Sequence, residues 1–161
     1  MKNVNVETAP ASILFKDYLD CVNSGDPRAV AEFFTEDGYI EAPYVASMGM
    51  PAKFVGRTAI EATMKGLMQN APDFQFTSLK IILATPVEVV AEYESKAKLL
   101  NGRNYMQIYV GHVTFKNGKI VSHREFLNTI PFAIAFLPNG LSDLVISEPL
   151  LSPEKDKKKI F

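Results

Sequence analysis

Apolar residues recur at helical spacing in the first half of the chain. Between residues 12 and 24 they lie three or four positions apart, and Gly25 follows as a C-terminal stop. Asp26-Pro27 supplies an N-cap and a first-turn proline for a second helix, which we expect to end near Phe34. The pattern Thr58-x-x-Glu61 predicts a capping box at the start of a third helix.

From residue 74 onward the pattern changes to runs rich in β-branched and aromatic residues. Asn-Gly pairs at 101–102 and 117–118 separate the last three runs, which is the strongest short-range signal for β-hairpins. With a short strand at Tyr39–Ala42, the runs predict an antiparallel meander. Its four strands are Phe74–Ala84, Val87–Leu100, Arg103–Phe115 and Lys119–Asn128.

The two turns also predict which side chains share a face of the sheet. If each turn contains two residues, Leu100 pairs with Arg103 and His112 lies opposite His123. Strand alternation then places both histidines and Glu125 on one otherwise apolar, pocket-lining face. The same face collects Tyr93, Met106, Ile108 and Val110.

Three ionisable groups on an otherwise apolar face indicate a functional site. A buried carboxylate without partners is costly, and a raised glutamate pKa beside imidazoles suits acid–base catalysis at neutral pH. Two other interpretations stay open: the histidines lie at a wet end of the sheet with Glu125 as their partner, or the trio forms a metal-binding facial triad. We rank the metal below acid–base use and expect no metal and no cofactor.

Composition narrows the classes of partner. The 161 residues are 47% hydrophobic and 22% charged with a net charge of −1, which predicts one domain over 1–140 with a C-terminal extension at 141–161. This near-neutral charge balance gives no electrostatic reason to expect nucleic acid or a membrane as a partner. Met1–Ala11 lacks the apolar run of a signal peptide, so we expect a cytoplasmic protein.

Several segments resemble a known superfamily. They are Phe33-Phe34-Thr35-Glu36-Asp37-Gly38, Phe54-Val55-Gly56-Arg57-Thr58, Phe115-Lys116-Asn117-Gly118-Lys119-Ile120 and Arg124-Glu125-Phe126-Leu127-Asn128. The chain resembles the nuclear-transport-factor-2-like superfamily, within it the SnoaL-like and ketosteroid-isomerase-like group, and most of all the phenazine biosynthesis A/B branch. The resemblance implies an α+β fold: a cone-shaped, strongly curved antiparallel sheet wrapped around three N-terminal helices and enclosing a pocket.

The resemblance also bears on single residues. Tyr18 falls where ketosteroid isomerases keep an oxyanion-binding tyrosine, and Glu125 matches the pocket glutamate of the phenazine branch. Ala42 stands where the isomerase has its general base, and the second oxyanion-hole acid falls near Gly111. Classical steroid isomerisation is therefore not expected.

We accordingly expect a small, largely apolar metabolite as ligand, with isomerase-, cyclase- or dehydratase-type catalysis as the leading hypothesis. Glu125 would transfer the proton, His112 and His123 would tune it, and Tyr18 would donate a hydrogen bond. The apolar wall would consist of Tyr93, Met106, Ile108, Val110 and Phe15. The alternative is a non-catalytic binding protein, and in either case we expect a homodimer formed through the charged outer sheet face, which includes Arg103, Tyr105, Tyr109 and Phe126.

Overall fold

The computed structural model describes residues 10–144. Its helices are α1 (Pro10–Ser24), α2 (Pro27–Glu32), α3 (Arg57–Asn70) and α4 (Thr129–Phe136), with short 3₁₀ turns at Pro43–Met48 and Gly140–Asp143. Its strands are β1 (Phe34–Glu41), β2 (Lys53–Val55), β3 (Gln75–Ala84), β4 (Glu88–Lys98), β5 (Asn104–Lys116) and β6 (Lys119–Leu127). No helix among residues 10–144 is long and apolar enough to cross a membrane.

The six strands form one curved, unclosed sheet in the order β2-β1-β6-β5-β4-β3. Only β1 and β6 pair in parallel, and the remaining neighbours are antiparallel. Helix α1 packs across β3, β4 and β5, and α3 packs on α2 and β1. The predicted α+β cone with a meander and three N-terminal helices is therefore confirmed.

The helix starts follow local chemistry with one correction. The carboxylate of Asp26 accepts hydrogen bonds from the backbone N–H groups of Arg28 and Ala29, each 3.0 Å long, and so caps α2 as predicted. The capping box at Thr58 is wrong. Helix α3 begins earlier because Gly56, at φ +84°, is its N-cap and accepts the first helical bond from the Ile60 N–H.

The first predicted hairpin register is also wrong, by one residue. Lys98 pairs with Asn104, and the Leu99 N–H donates to the Arg103 carbonyl at 2.8 Å. The loop closed by Leu99 and Arg103 therefore holds three residues, 100–102, rather than two, with Gly102 in the left-handed region at φ +83°. Leu100 belongs to this loop, and its N–H donates to the Asn70 carbonyl of α3 at 2.8 Å. Because strand side chains alternate, the slip turns every side chain of β5 to the opposite face.

The second hairpin is confirmed at its turn. Lys116 pairs with Lys119, and both turn residues, Asn117 and Gly118, have positive φ, at 51° and 73°. A bulge then inserts Val121, and beyond it the pairs are one residue out of the predicted register. Because of this bulge, His123, Glu125 and Leu127 lie on the inner face as predicted, although β5 is inverted.

The apolar segment after the last strand forms α4, which lies against β5 and the open end of the sheet. The guanidinium of Arg103 donates to the carbonyl oxygens of Ile134, Leu137 and Pro138, at 3.0, 2.6 and 2.8 Å. The amide of Asn101 donates to the Ala135 carbonyl at 3.2 Å. These bonds satisfy the carbonyls at the helix C-terminus, where no intrahelical donor is left. The β4–β5 loop thereby fixes α4 over the cone.

Candidate functional site

A cavity of about 300 Å³ opens between the concave face of the sheet and the helices. That volume is at the lower end of small-molecule sites. Most of its wall is apolar, and its polar members are Tyr18, Thr63, Asn70, Tyr105, Tyr109 and Glu125. The apolar wall comes from all parts of the fold: Val22, Ile40, Ala42, Val45, Met50, Pro51, Phe54, Met64, Leu67, Phe74, Phe76, Leu127, Phe132 and Phe136.

Glu125 is the only carboxylate among the described residues that lines this cavity. Its side chain is 16% exposed, and Oε1 accepts a hydrogen bond from the Tyr93 hydroxyl at 2.7 Å. The Tyr93 oxygen also lies 2.9 Å from Nε2 of His123, and Nδ1 of that ring lies 3.3 Å from the Tyr18 hydroxyl. Four side chains from three elements therefore form one continuous hydrogen-bonded chain, the acid network: Tyr18, His123, Tyr93 and Glu125.

Burial fixes the protonation states of the histidine and the two tyrosines in this network. Desolvation lowers the pKa of the fully buried His123, although the nearby Glu125 charge opposes the shift, so the ring is neutral at pH 7. Desolvation also raises the pKa of Tyr18 and of Tyr93 well above the usual value, and the negative charge of Glu125 adds to both shifts. Both tyrosines are therefore protonated.

Aromatic packing holds the network in place. Phe15 contacts Tyr18, Tyr93 and His123, with ring centroids 6.1, 5.4 and 5.8 Å away. Tyr93 is further packed between Phe76 and the stacked ring of Tyr109. Phe15 was predicted to touch the ligand, but it lies fully buried behind the network and outside the cavity wall.

Gly111 is what allows the Tyr93 hydroxyl to reach both partners. It pairs with Glu125 across β5 and β6, and a Cβ atom there would lie 2.6 Å from Cε1 and 2.7 Å from Oη of Tyr93. The resemblance placed an oxyanion-hole acid near this position. Here a tyrosine hydroxyl from β4 occupies the space that a side chain at Gly111 would need.

The sequence-based site is partly brought together and partly separated. Tyr18, Tyr93, His123 and Glu125 meet at the inner face as expected. The catalytic roles of Tyr18, His123 and Glu125 stay a prediction, whereas Tyr93, predicted as part of the apolar wall, lies behind Glu125 and outside the cavity wall. The one-residue slip in register moves three other predicted site residues out of the pocket. Met106, Ile108 and Val110 are 74%, 65% and 38% exposed on the outer face. These three cannot form the apolar wall of the pocket.

His112 is likewise on the outer face, where Nε2 bonds the Glu88 carboxylate. It pairs with Arg124 rather than with His123. The prediction that both histidines share a face with Glu125 is therefore wrong, and the facial-triad metal site that depended on it does not form. No group of three or more His, Cys, Asp or Glu side chains within residues 10–144 is arranged to hold a metal ion.

Sequence reasoning assigned two pocket tyrosines to the wrong face. Tyr105 and Tyr109 were expected on the outer surface, yet both are buried and line the cavity. The Tyr109 hydroxyl lies 2.9 Å from Ser95 Oγ and 3.0 Å from the Tyr105 hydroxyl. We call these three residues the hydroxyl chain. The signal that could have placed them is Gly102, which suits a three-residue loop with a left-handed last residue as well as a two-residue turn.

Comparisons with known proteins agree with this architecture. A family model for the SnoaL-like domain matches residues 15–123. The uncharacterized protein YesE of Bacillus subtilis (strain 168) is 26% identical over 113 residues, which cover 69% of this chain and 76% of YesE.

Solved structures show the same fold at low identity. A proposed isomerase from Bacillus subtilis superposes with a TM-score of 0.70 at 23% identity, over 79% of this chain and 92% of its own. A phenazine biosynthesis-related protein from Pseudomonas aeruginosa superposes with a TM-score of 0.67 at 20% identity, over 97% of this chain and 93% of its own. A proposed polyketide cyclase from Xanthomonas campestris superposes with a TM-score of 0.64 at 18% identity, over 74% of this chain and 91% of its own. With the cone, the meander and the family match in agreement, this chain belongs to the SnoaL-like family and has the nuclear-transport-factor-2-like cone fold.

Proposed function

We propose that this protein is an acid–base enzyme that acts on a small, largely apolar, carbonyl-bearing molecule, with Glu125 as the group that takes up and returns the proton. One observation carries the proposal: within residues 10–144, a single carboxylate lines an apolar cavity of about 300 Å³, and one of its oxygens is held by Tyr93. Among the described residues, no protein donor bonds its Oε2, which is therefore available to a ligand.

The surroundings of Glu125 support a catalytic use. A carboxylate in a low-dielectric cavity interacts strongly with a ligand proton, because water screens it little. The hydrogen bond from Tyr93 fixes its orientation, and the rings around Tyr93 keep that donor from rotating away. The proposed isomerase and cyclase among the structural relatives make the same class of chemistry reasonable here.

The test uses 2-tetralone, a small apolar ketone with exchangeable α-protons. Proton NMR in D₂O would follow loss of its α-CH signals with the wild type, Glu125→Gln and Glu88→Gln, the last being a control on the outer face. We expect catalysed exchange to fall by roughly 10²–10⁴-fold in Glu125→Gln and to stay unchanged in Glu88→Gln. Equal exchange rates in the wild type and Glu125→Gln would contradict the role of Glu125.

A second candidate function is favoured by Ala42, which lies in the cavity wall at the position where ketosteroid isomerases have their general base. The described cavity wall offers no second carboxylate to share the proton transfer, so it could hold a metabolite by burial and hydrogen bonds alone. Binding of 2-tetralone without any exchange above the uncatalysed rate would support this non-catalytic binding protein and would refute the enzyme.

We further propose that two copies pair through the outer sheet face. Met106, Ile108 and Val110 form an exposed apolar stripe on β5. On neighbouring β4 the exposed side chains are acidic at Glu92 and Glu94 and basic at Lys96 and Lys98. A two-fold axis through the stripe would place each acidic half against the partner's basic half, so the face is complementary to itself.

Light scattering after size exclusion tests the dimer. The wild type should have twice the 17.9 kDa chain mass. Ile108→Glu would bury charges at the centre of the interface and should give monomers, whereas Ile13→Glu, at an exposed apolar position on α1, should not. A wild type that stays monomeric at high concentration would exclude this pairing.

A further inference from the structure

The hydrogen bonds around the cavity determine which of its groups can donate a proton to a ligand and which can only accept one. Two separate chains of side chains reach the wall: the acid network and the hydroxyl chain. Every tyrosine and serine hydroxyl has one proton, and a neutral imidazole has one N–H. Counting these protons gives the polarity of each end.

The acid network has no proton left for a ligand. In the carboxylate form that the proposed function requires, Glu125 only accepts, so the single proton of Tyr93 is used in the 2.7 Å bond to Oε1. The Tyr93 oxygen must then accept from Nε2–H of His123 at 2.9 Å. The neutral ring has no second N–H, so Nδ1 accepts the Tyr18 proton across 3.3 Å. Towards the cavity, the Tyr18 oxygen and Glu125 Oε2 are therefore acceptors only.

The hydroxyl chain has one proton too many. Ser95, Tyr109 and Tyr105 have three hydroxyl protons and two mutual hydrogen bonds, of 2.9 and 3.0 Å. Ser95 is 3% exposed, and within residues 10–144 its side chain has no hydrogen-bond partner other than Tyr109. If Ser95 accepted from Tyr109, its own buried proton would have no acceptor, which costs free energy. Ser95 therefore donates, and the unused proton belongs to Tyr105 or Tyr109.

Both of those tyrosines line the cavity, so the hydroxyl chain presents a donor there. The other polar wall residues do not alter this result. Thr63 uses its hydroxyl proton on the Ala59 carbonyl, and Asn70 is exposed at the rim with its amide bonded to the Gly66 carbonyl. The part of the wall formed by the acid network thus only accepts, and the part formed by the hydroxyl chain donates.

We propose that the ligand has a hydrogen-bond donor, such as an enol or phenol hydroxyl, at the end that meets Glu125 and Tyr18, and a carbonyl acceptor at the end that meets Tyr105 and Tyr109. This substrate class, a conjugated hydroxy-ketone, deepens the proposed function and rests on it for the chemistry. Glu125 takes the hydroxyl proton, the electron pair of the broken O–H bond moves through the conjugated system, and the negative charge on the carbonyl oxygen is met by the tyrosine donor. Tyr18 therefore has a role opposite to the donor predicted from the sequence.

Three naphthalenes separate the two ends: 6-hydroxy-2-acetylnaphthalene, its 6-methoxy ether and 2-naphthol. Their dissociation constants can be measured by isothermal titration calorimetry or from naphthalene fluorescence. Capping the hydroxyl should weaken binding about tenfold or more, because the ether puts an acceptor against two acceptors. Removing the acetyl group should weaken binding roughly three- to tenfold.

Variants assign each preference to its residues. Glu125→Gln introduces a donor, so the hydroxyl and methoxy compounds should bind more equally, while Glu88→Gln should keep the difference. The double variant Tyr105→Phe/Tyr109→Phe should abolish the benefit of the acetyl group, and Ser95→Ala should retain it because both phenols remain.

The wild-type panel decides the proposal. Equal affinity for the hydroxyl and methoxy compounds, or no binding by any of the three, overturns the assigned polarity. Failure of this inference is distinct from failure of the proposed function. If the wild type prefers the hydroxyl compound over its methoxy ether but does not catalyse α-proton exchange in 2-tetralone, only the catalytic role is refuted. If it catalyses Glu125-dependent exchange but binds the two compounds equally, only the assigned polarity is refuted.

Discussion

Replacing Gly111 with alanine should disrupt the acid network, although glycine has no side chain that could take part in its side-chain hydrogen bonds. The new Cβ atom would lie 2.6 Å from Cε1 and 2.7 Å from Oη of Tyr93, whereas carbon atoms in contact are about 3.5–4.0 Å apart. The ring would have to retreat by roughly 1 Å. It has no free space, because Phe15, Phe76 and Tyr109 pack on it with centroids 5.4, 5.4 and 5.0 Å away.

Two costs add in this variant. Overpacking a well-packed core costs about 1–3 kcal/mol. Moving the Tyr93 hydroxyl also weakens its bond to the Glu125 carboxylate, and a hydrogen bond to a charged group contributes roughly 1.5–3 kcal/mol. We therefore expect Gly111→Ala to lower the free energy of unfolding by about 2.5–6 kcal/mol, a large part of a typical domain's stability.

Urea denaturation measures this change, with Gly66→Ala as the matched control. Gly66 lies in α3 with open space around its Cβ position, so alanine there should stabilise the fold by about 0.5–1 kcal/mol. A double-mutant cycle with Tyr93→Phe isolates the hydroxyl. Gly111→Ala should cost at least ~1 kcal/mol less in the Tyr93→Phe background. If Gly111→Ala is no more harmful than Gly66→Ala, the steric reasoning is refuted.

Three further predictions concern burial and capping. The pKa of His123 is lowered in the folded state, so the unfolded chain binds more protons, and stability should fall as pH drops below about 6.5, by up to about 1.4 kcal/mol per pH unit. Urea titrations should show this component in His112→Asn and not in His123→Asn, and an equal slope in both would contradict it. Arg103→Ala should reduce hydrogen-exchange protection in α4, with Arg103→Lys intermediate because one ammonium cannot bond three separated carbonyls; unchanged protection would show that the loop does not hold the helix. Asp26→Ala should destabilise the protein by about 1 kcal/mol in urea and Asp26→Asn by much less, since asparagine is an equally good N-cap; identical losses would exclude the cap.

Local patterns determined a large part of this protein. The Asp26 cap, the Asn117-Gly118 turn and the alternation along β4 depend on neighbours in the chain, and the structure confirms each of them. Alternation placed Tyr93 on the inner face, and the resemblance of several segments indicated the family. These features follow from backbone conformations that single residues favour, so sequence reasoning reaches them. Glu125 kept its predicted face because the bulge at Val121 offsets the inversion of β5.

Contacts between distant parts of the chain decided the rest. Leu100 lies in the β4–β5 loop with its N–H bonded to the Asn70 carbonyl, 30 positions earlier, and the longer loop inverts β5. That inversion moved His112 out of the pocket and brought Tyr109 into it. A two-residue and a three-residue loop differ little in local energy, whereas the choice between them turns a whole strand over. The sequence by itself therefore determined the cone and its acid, and only the tertiary structure decided which hydroxyls surround that acid.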